Sequence, residues 1–113
     1  MGVLRVKEGV QFSQIAPGGF RILSALDRTV SCYPFDLTIT SGCDGEHSGP
    51  EDPHHSGNAY DVRSHDIPSD VKPQVLAAVM VILGWDRFYG FLENAGGPDE
   101  HFHFQVKKGT KYP

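Results

Sequence analysis

Few features of this sequence are typical of membrane, nucleic-acid-binding or disulfide-rich proteins. Its 113 residues include two cysteines and one tryptophan, and no apolar run approaches the ~20 residues that a membrane-spanning helix needs. The formal net charge is −4, and the ten lysines and arginines are scattered, so only the segment from Lys107 to Lys111 is locally basic. We therefore expect neither a membrane span nor a nucleic-acid partner.

The N-terminal segment and the cysteines indicate the cellular compartment in which the chain folds. Residues Met1 to Arg5 lack the apolar stretch of a secretory signal, which predicts a chain that is cytoplasmic as synthesised and leaves the cell only with outside help. Without such a signal, Cys32 and Cys43 are expected to be reduced thiols packed as small apolar groups, with one disulfide as the alternative. Their spacing is not C-x-x-C, which disfavours a metal site built on them.

Length and composition predict one domain over residues 1–113. A core of modest size fits this length, and 13 glycines with 8 prolines are typical of many turns and extended loops. We expect a loop-rich α+β domain, with a small antiparallel sheet and helices packed on one of its faces. We also expect a monomer.

Hydrophobic periodicity predicts where the helices and strands lie. The predicted strands are Val3–Val6, Leu37–Thr40, Ala59–Arg63, Trp85–Leu92 and His101–Val106. The first predicted helix is Phe20–Arg28, which packs Phe20, Ile22, Leu23 and Leu26 and leaves Arg21 and Asp27 to solvent. The second is capped by Ser69 or Asp70 and ended by Gly84, and its apolar stripe is Val71, Val75, Leu76, Val79, Ile82 and Leu83. In the last strand, alternation places His101, His103 and Gln105 on one face and Phe102, Phe104 and Val106 on the core face. In the strand Ala59–Arg63, alternation places Asp61 and Arg63 on one face and Val62 in the core.

A metal site is predicted where two polar clusters combine. His54 and Asp61 are seven positions apart, and His103 lies in a second cluster near the C-terminus. Imidazole nitrogen and carboxylate oxygen both suit Zn²⁺, and three protein ligands leave a fourth position for water, as in catalytic zinc sites. We predict one zinc ion per chain on these three residues. His55 and His65 are expected to take no part.

The spacing of these residues resembles that of a known enzyme family. The motif S-x-H-x-x-G-x-A-x-D, followed downstream by H-x-H or E-x-x-H, is shared by zinc D-Ala-D-Ala carboxypeptidases and L-Ala-D-Glu endolysin peptidases. His54, Gly57, Ala59 and Asp61 fall in register with it, whereas Asp52 stands in place of the serine. The resemblance covers roughly residues 37–106 and implies the hedgehog/DD-peptidase fold.

The resemblance also implies catalytic roles near His103. Glu100 stands three residues before it, as the base does in the E-x-x-H peptidases, and His101 stands two before it, as in H-x-H. We predict Glu100 as the general base and His101 as a hydrogen-bond donor to the transition-state oxygen, with Asp99 a weaker candidate base. On an ideal strand, His101 shares the face of His103, which favours the histidine instead.

Substrate binding has to be assigned differently from the family pattern. The family often carries an arginine after the Ser-Gly that ends the preceding strand, but this chain has Cys43-Asp44 there. Arg63, on the strand face of Asp61, is the nearest cationic candidate, with a structural ion pair as its alternative role. His47, in the acidic loop before the motif, could bind a substrate carboxylate or simply face solvent.

The function that this resemblance implies is a zinc metallopeptidase acting on bacterial cell-wall peptides. The scissile bond would be D-Ala-D-Ala or L-Ala-D-Glu, and the source would be a bacterium or a bacteriophage. Zn²⁺ would polarise the scissile carbonyl and activate water. The alternative is a non-catalytic, zinc-stabilised binding or structural module on the same fold. The missing arginine supports it, whereas the pair Glu100 and His101 tells against it, because a structural site needs no titratable base.

Overall fold

The computed structural model describes residues 1–42 and 57–107, which form two helices and one five-stranded sheet. The elements in chain order are β1 (Leu4–Val6), α1 (Pro17–Val30), β2 (Leu37–Ser41), β3 (Ala59–Arg63), α2 (Lys72–Leu83), β4 (Phe88–Glu93) and β5 (His101–Val106). The α+β class is confirmed, and β3 and β5 have the predicted bounds. β4 begins three residues later than predicted, because Trp85 to Arg87 form a turn.

The sheet is mixed, which corrects the prediction of an antiparallel one. Its strand order is β1-β2-β3-β5-β4. β1 and β2 are parallel, with Leu4 opposite Leu37, whereas the other three pairs are antiparallel. The parallel pair arises because α1 connects the two strands, and a helical crossover returns the chain in its original direction.

Both helices pack on the same face of the sheet. Gly90 of β4 lies so close to α2 that a Cβ there would be 2.6 Å from Sδ of Met80. From α1, Ile22, Leu26 and Val30 are fully buried in the same core. The opposite face of the sheet carries no helix among the described residues, and this is the face on which the candidate site lies.

Helix α1 extends further at both ends than its apolar pattern predicted. Pro17 occupies its first turn, where the missing N–H of proline costs no hydrogen bond. Arg21 and Asp27 are exposed as predicted. Phe20 was predicted to be in the core, but its side chain is 66% exposed. It lines a groove of about 220 Å³ with Ile82 of α2, because the two helices leave this part of their surface uncovered.

Helix α2 ends as predicted but begins differently. Gly84 follows its last residue with φ of 87°, and its N–H donates to the carbonyl of Met80. The predicted side-chain cap from Ser69 or Asp70 is wrong, because Val71 is the N-cap residue and no side chain caps the helix. The carbonyl of Pro68 instead accepts from the N–H groups of Val71 and Lys72.

Alternation along β3 and β5 sorts the site from the core as predicted. Val62, Phe102 and Phe104 are each at most 1% exposed and belong to the hydrophobic core. Asp61 and His103, from the alternate positions, are cross-strand partners on the other face. The sheet therefore has an apolar face under the helices and an opposite face on which the polar residues of the candidate site lie.

Gly57, the glycine of the motif, is required by backbone geometry and by close packing. Its φ of 76° lies in the left-handed region. A Cβ there would lie 2.1 Å from the carbonyl oxygen of Gln14, and a Cβ on Gly19 would lie 1.8 Å from the carbonyl oxygen of Gly57. The start of α1 and the chain entering β3 thus touch backbone to backbone, which holds β3 in place beneath the site.

Two other sequence predictions concern the surface and the membrane. Cys32 was expected to be packed as an apolar group, but its side chain is exposed at the end of α1. Cys43 lies outside the described residues. Neither helix in the described part of the chain has the length and hydropathy to cross a membrane.

Candidate metal centre

Four side chains from three adjacent strands converge on the polar face of the sheet. Asp61 comes from β3, His101 and His103 from β5, and Glu93 from β4. Strand register brings them together, because Asp61 pairs with His103 and His101 pairs with Glu93. One potential ligand atom from each lies within 4.8 Å of all the others. Two imidazoles and two carboxylates form a donor set that suits Zn²⁺ and other divalent transition metals.

The pair of Asp61 and His103 is the tightest part of this cluster. Nδ1 of His103 lies 2.8 Å from Oδ1 of Asp61, and its Nε2 lies 2.7 Å from Oε1 of Gln105. Burial by itself would lower the pKa of His103, but the hydrogen bonds with Asp61 and Gln105 and the charges of Asp61 and Glu93 together raise it. A cation at Nδ1 would take the place of the proton that this acceptor-rich environment favours.

His101 is held on both sides of its ring. Its Nδ1 lies 2.7 Å from the backbone oxygen of Asp99, and a carbonyl accepts only, so this nitrogen is the donor. Its Nε2 lies 2.8 Å from Oε2 of Glu93 and 3.6 Å from Oδ1 of Asp61. Nε2 is therefore the nitrogen that faces the cluster, and it donates to Glu93 whenever it carries a proton.

Glu93 is the residue that the sequence analysis missed. It ends β4, its Oε2 lies 2.8 Å from His101 and 4.0 Å from Nδ1 of His103, and its side chain is 42% exposed. The available signal was its position before the Asn94 to Pro98 turn, because a hairpin places the last residue of one strand near the first of the next. The register that sets it opposite His101 depends on the length of that turn.

Glu100 directly precedes His101 of the cluster, but both of its carboxylate oxygens accept hydrogen bonds from residues outside the cluster. Its Oε1 accepts from Oγ of Ser64 at 2.6 Å and from Nζ of Lys72 at 2.5 Å, and its Oε2 accepts from the N–H of Gly96 at 2.8 Å. The side chain is 7% exposed. The hydrogen bond from Lys72, followed by those from Ser64 and Gly96, lowers the pKa of Glu100 to about 2. These contacts tie the end of β3, the start of α2 and the β4–β5 turn together.

A polar cleft of about 400 Å³ adjoins the cluster on the side of β3. Asp61 and His101 line it together with Arg63, and so do Lys7 and Thr40 from the neighbouring part of the sheet. Among the described residues, no carboxylate lies within ion-pair distance of Arg63. Arg63 is thus a cation that lines the cleft beside the candidate metal site.

Several predicted residues lie outside the part of the chain that the structure describes. They are the predicted zinc ligand His54, the predicted substrate residue His47, and His55. His65, for which no role was predicted, is exposed at the edge of the cleft, with Nε2 3.0 Å from the backbone oxygen of Pro98. Of the predicted metal ligands, the structure therefore brings together Asp61 and His103.

Comparison with known proteins adds no relative to this picture. A scan against protein-family models, a search of curated proteins and a search of solved structures all found no match.

Proposed function

We propose that this protein is a zinc-dependent metallopeptidase that hydrolyses a peptide bond in the stem peptides of bacterial cell wall. The observation that carries the proposal is the convergence of Asp61, His101 and His103 on the sheet face opposite α1 and α2, with a cleft beside them. The resemblance of the motif around Asp61 supplies the substrate class.

Asp61 and His103 would hold the zinc ion together with His54 of the motif. Zn²⁺ bound there would polarise the scissile carbonyl and lower the pKa of a water molecule toward ~7. The protein's own contribution begins with orientation. Gln105 holds Nε2 of His103 at 2.7 Å, which directs Nδ1 toward the cluster.

We assign the general base to His101 rather than to Glu100. A base must reach the proton it takes, and Nε2 of His101 faces the cluster while its Nδ1 is committed to the carbonyl of Asp99. After Nε2 accepts a proton, Glu93 would stabilise the imidazolium from 2.8 Å. Both carboxylate oxygens of Glu100 already accept hydrogen bonds, and its low pKa makes it a poor proton acceptor near neutral pH.

Arg63 would orient the substrate. It lines the cleft beside Asp61 and His101, where a guanidinium can bind a carboxylate or a peptide carbonyl of the bound peptide. In the family pattern, this cation is an arginine in the segment that follows Gly42. In this proposal, Arg63 on β3 would supply it. His47 stays a prediction.

A non-catalytic zinc-stabilised module is the second candidate, and one observation favours it. Glu93 and His101 both bring a ligand atom within 4.8 Å of those of Asp61 and His103. If all four bound the ion, no position would be left for water, and closed four-ligand sites are typical of structural zinc. Cell-wall peptide hydrolysis separates the two candidates.

The test is digestion of defined stem peptides by the zinc-loaded protein, read by mass spectrometry. Substrates containing L-Ala-D-Glu and D-Ala-D-Ala bonds are supplied separately, and the matched control is the Asp61→Asn variant incubated with the same zinc. We expect one of the two bonds to be cleaved by the wild type, with no cleavage by the variant. If the peptides stay intact although the protein is fully loaded with zinc, the result would contradict the peptidase and support the structural module.

A further inference from the structure

Two exposed aromatic side chains flank the candidate metal centre on the side opposite the polar cleft. Tyr89 and Phe91 occupy alternate positions of β4, and their side chains are 45% and 43% exposed. They lie opposite Gln105 and His103 in the β4–β5 register, so they share the sheet face of the metal cluster. Among the described residues β4 is an edge strand, so no further strand pairs with it on its outer side.

The aromatic pair is physically continuous with the metal cluster. The ring of Phe91 lies against the imidazole of His103, with centroids 5.0 Å apart and planes tilted by 35°. A substrate group next to the scissile bond would therefore meet the ring of Phe91 on this side. Exposed aromatic rings beside a reactive centre lose their contact with water when a ligand covers them, which favours a flat apolar partner.

Polar groups border the same surface. Nζ of Lys107 lies 4.9 Å from the centroid of the Tyr89 ring, and the Tyr89 side chain carries a phenolic hydroxyl of its own. The exposed surface of Phe91, with the ammonium of Lys107 over the neighbouring Tyr89 ring and the Tyr89 hydroxyl as hydrogen-bond donors, matches a sugar ring, which has an apolar C–H face and hydroxyls at its edge. An aliphatic side chain would leave the rim without partners.

We propose that Tyr89 and Phe91 form a subsite for the amino sugar to which a cell-wall stem peptide is attached. The proposal rests on the proposed function and narrows it, because the first peptide residue then lies beside the metal centre. The substrate would cross the sheet face from the aromatic flank to the Arg63 cleft. The first bond between two amino acids of the stem peptide, L-Ala-D-Glu, would be the one hydrolysed.

The experiment compares a dipeptide that carries the muramyl group with one that carries an acetyl group in its place. Zinc-loaded full-length protein is titrated with N-acetylmuramyl dipeptide and with the N-acetylated dipeptide of the same sequence. Binding is followed by NMR, and cleavage is followed in parallel by mass spectrometry. The wild type is expected to bind the sugar-bearing ligand about 10-fold more tightly, which corresponds to one good aromatic contact.

Variants of Phe91 and Tyr89 test whether these two residues cause the preference for the sugar-bearing ligand. Phe91→Ala and Tyr89→Ala should each reduce the preference for the sugar several-fold while one zinc ion stays bound and the sugar-free peptide binds as before. Phe91→Leu keeps an apolar side chain on the strand and should also lose the preference. Phe20→Ala is the matched control, since Phe20 is 66% exposed on the helix side of the molecule and should leave the preference unchanged.

The outcomes separate this inference from the proposed function. Cleavage of both ligands with equal affinity would overturn the sugar subsite and leave the peptidase standing. A sugar preference that depends on Phe91, without cleavage of either ligand, would support the subsite and count against the peptidase. A sugar preference that survives in Phe91→Ala and Tyr89→Ala would overturn the assignment to these two residues.

Discussion

Nδ1 of His103 lies 2.8 Å from Oδ1 of Asp61, although the two residues are 42 positions apart in the chain. They are direct partners in the register of β3 and β5, so the rigid sheet sets their distance. Functional groups on strands are held more firmly than groups on loops. The sheet therefore holds this pair firmly within the candidate site.

The first prediction concerns the general base. His101→Ala should lower kcat by roughly 10²–10⁴-fold, the usual contribution of a positioned base, with zinc still bound. Glu100→Gln should retain more activity than His101→Ala, because the carboxylate of Glu100 is held by Ser64, Lys72 and Gly96. Steady-state kinetics on the cleaved stem peptide decides between them. A larger loss in Glu100→Gln would return the role to Glu100, as the E-x-x-H spacing predicted.

The second prediction concerns stability and pH. The pKa of Glu100 is lowered from 4.5 to about 2, so the folded protein binds this proton less tightly than the unfolded chain. The ionised carboxylate therefore stabilises the fold fully above about pH 4.5, and the contribution is lost as the pH falls from there toward 2. Urea unfolding of metal-free wild type and Glu100→Gln should show a stability difference that shrinks over this window. A difference that is constant from pH 6 to pH 2 would contradict the ion pair with Lys72.

The third prediction concerns Arg63. A charge-assisted hydrogen bond contributes about 1.5–3 kcal/mol, so Arg63→Ala should lower kcat/KM by roughly 10- to 100-fold. Zinc stoichiometry should stay at one, since the residue lines the cleft without being a metal ligand. Arg5→Ala is a suitable control, because Arg5 pairs with Asp36 and does not line the cleft. Unchanged kinetics in Arg63→Ala would remove Arg63 from the substrate site.

The fourth prediction separates two effects at glycine. Gly57 and Gly96 both have positive φ, at 76° and 82°, but an added Cβ clashes with Gln14 at Gly57 and meets nothing within 4 Å at Gly96. Gly96→Ala should cost about 1–2 kcal/mol of unfolding free energy from the backbone alone. Gly57→Ala should cost about 1–3 kcal/mol more, from overpacking. Equal losses, measured by urea unfolding, would mean that the close approach at Gly57 relaxes freely.

The sequence predicted the two sheet faces correctly because strand alternation is a geometric property. Phe102 and Phe104 are buried while His101 and His103 face the site, as a period of two requires. Periodicity also predicted the existence of both helices. It was less accurate at Phe20 and Ile82, whose exposure depends on how much of each helix the rest of the protein covers.

Contacts between segments that are distant in the chain could not be predicted from the sequence. The parallel pairing of β1 with β2 follows from the path of α1. The contact of Lys72 with Glu100 spans 28 residues and joins a helix to a turn, and no local pattern encodes it. Motif spacing alone therefore predicted Glu100 as the base. Glu93 was missed for the same reason, since its place depends on hairpin register.

Metal binding by the wild type and by matched variants tests the central claim most directly. Zinc stoichiometry and affinity would be measured by elemental analysis and competitive chelator titration for the wild type, Asp61→Asn and His103→Gln, with exposed Asp70→Asn as the control. We predict one zinc ion per chain in the wild type and the control, and an affinity at least about 10-fold lower in the two site variants. Full zinc binding by both Asp61→Asn and His103→Gln would place the metal elsewhere and contradict the account.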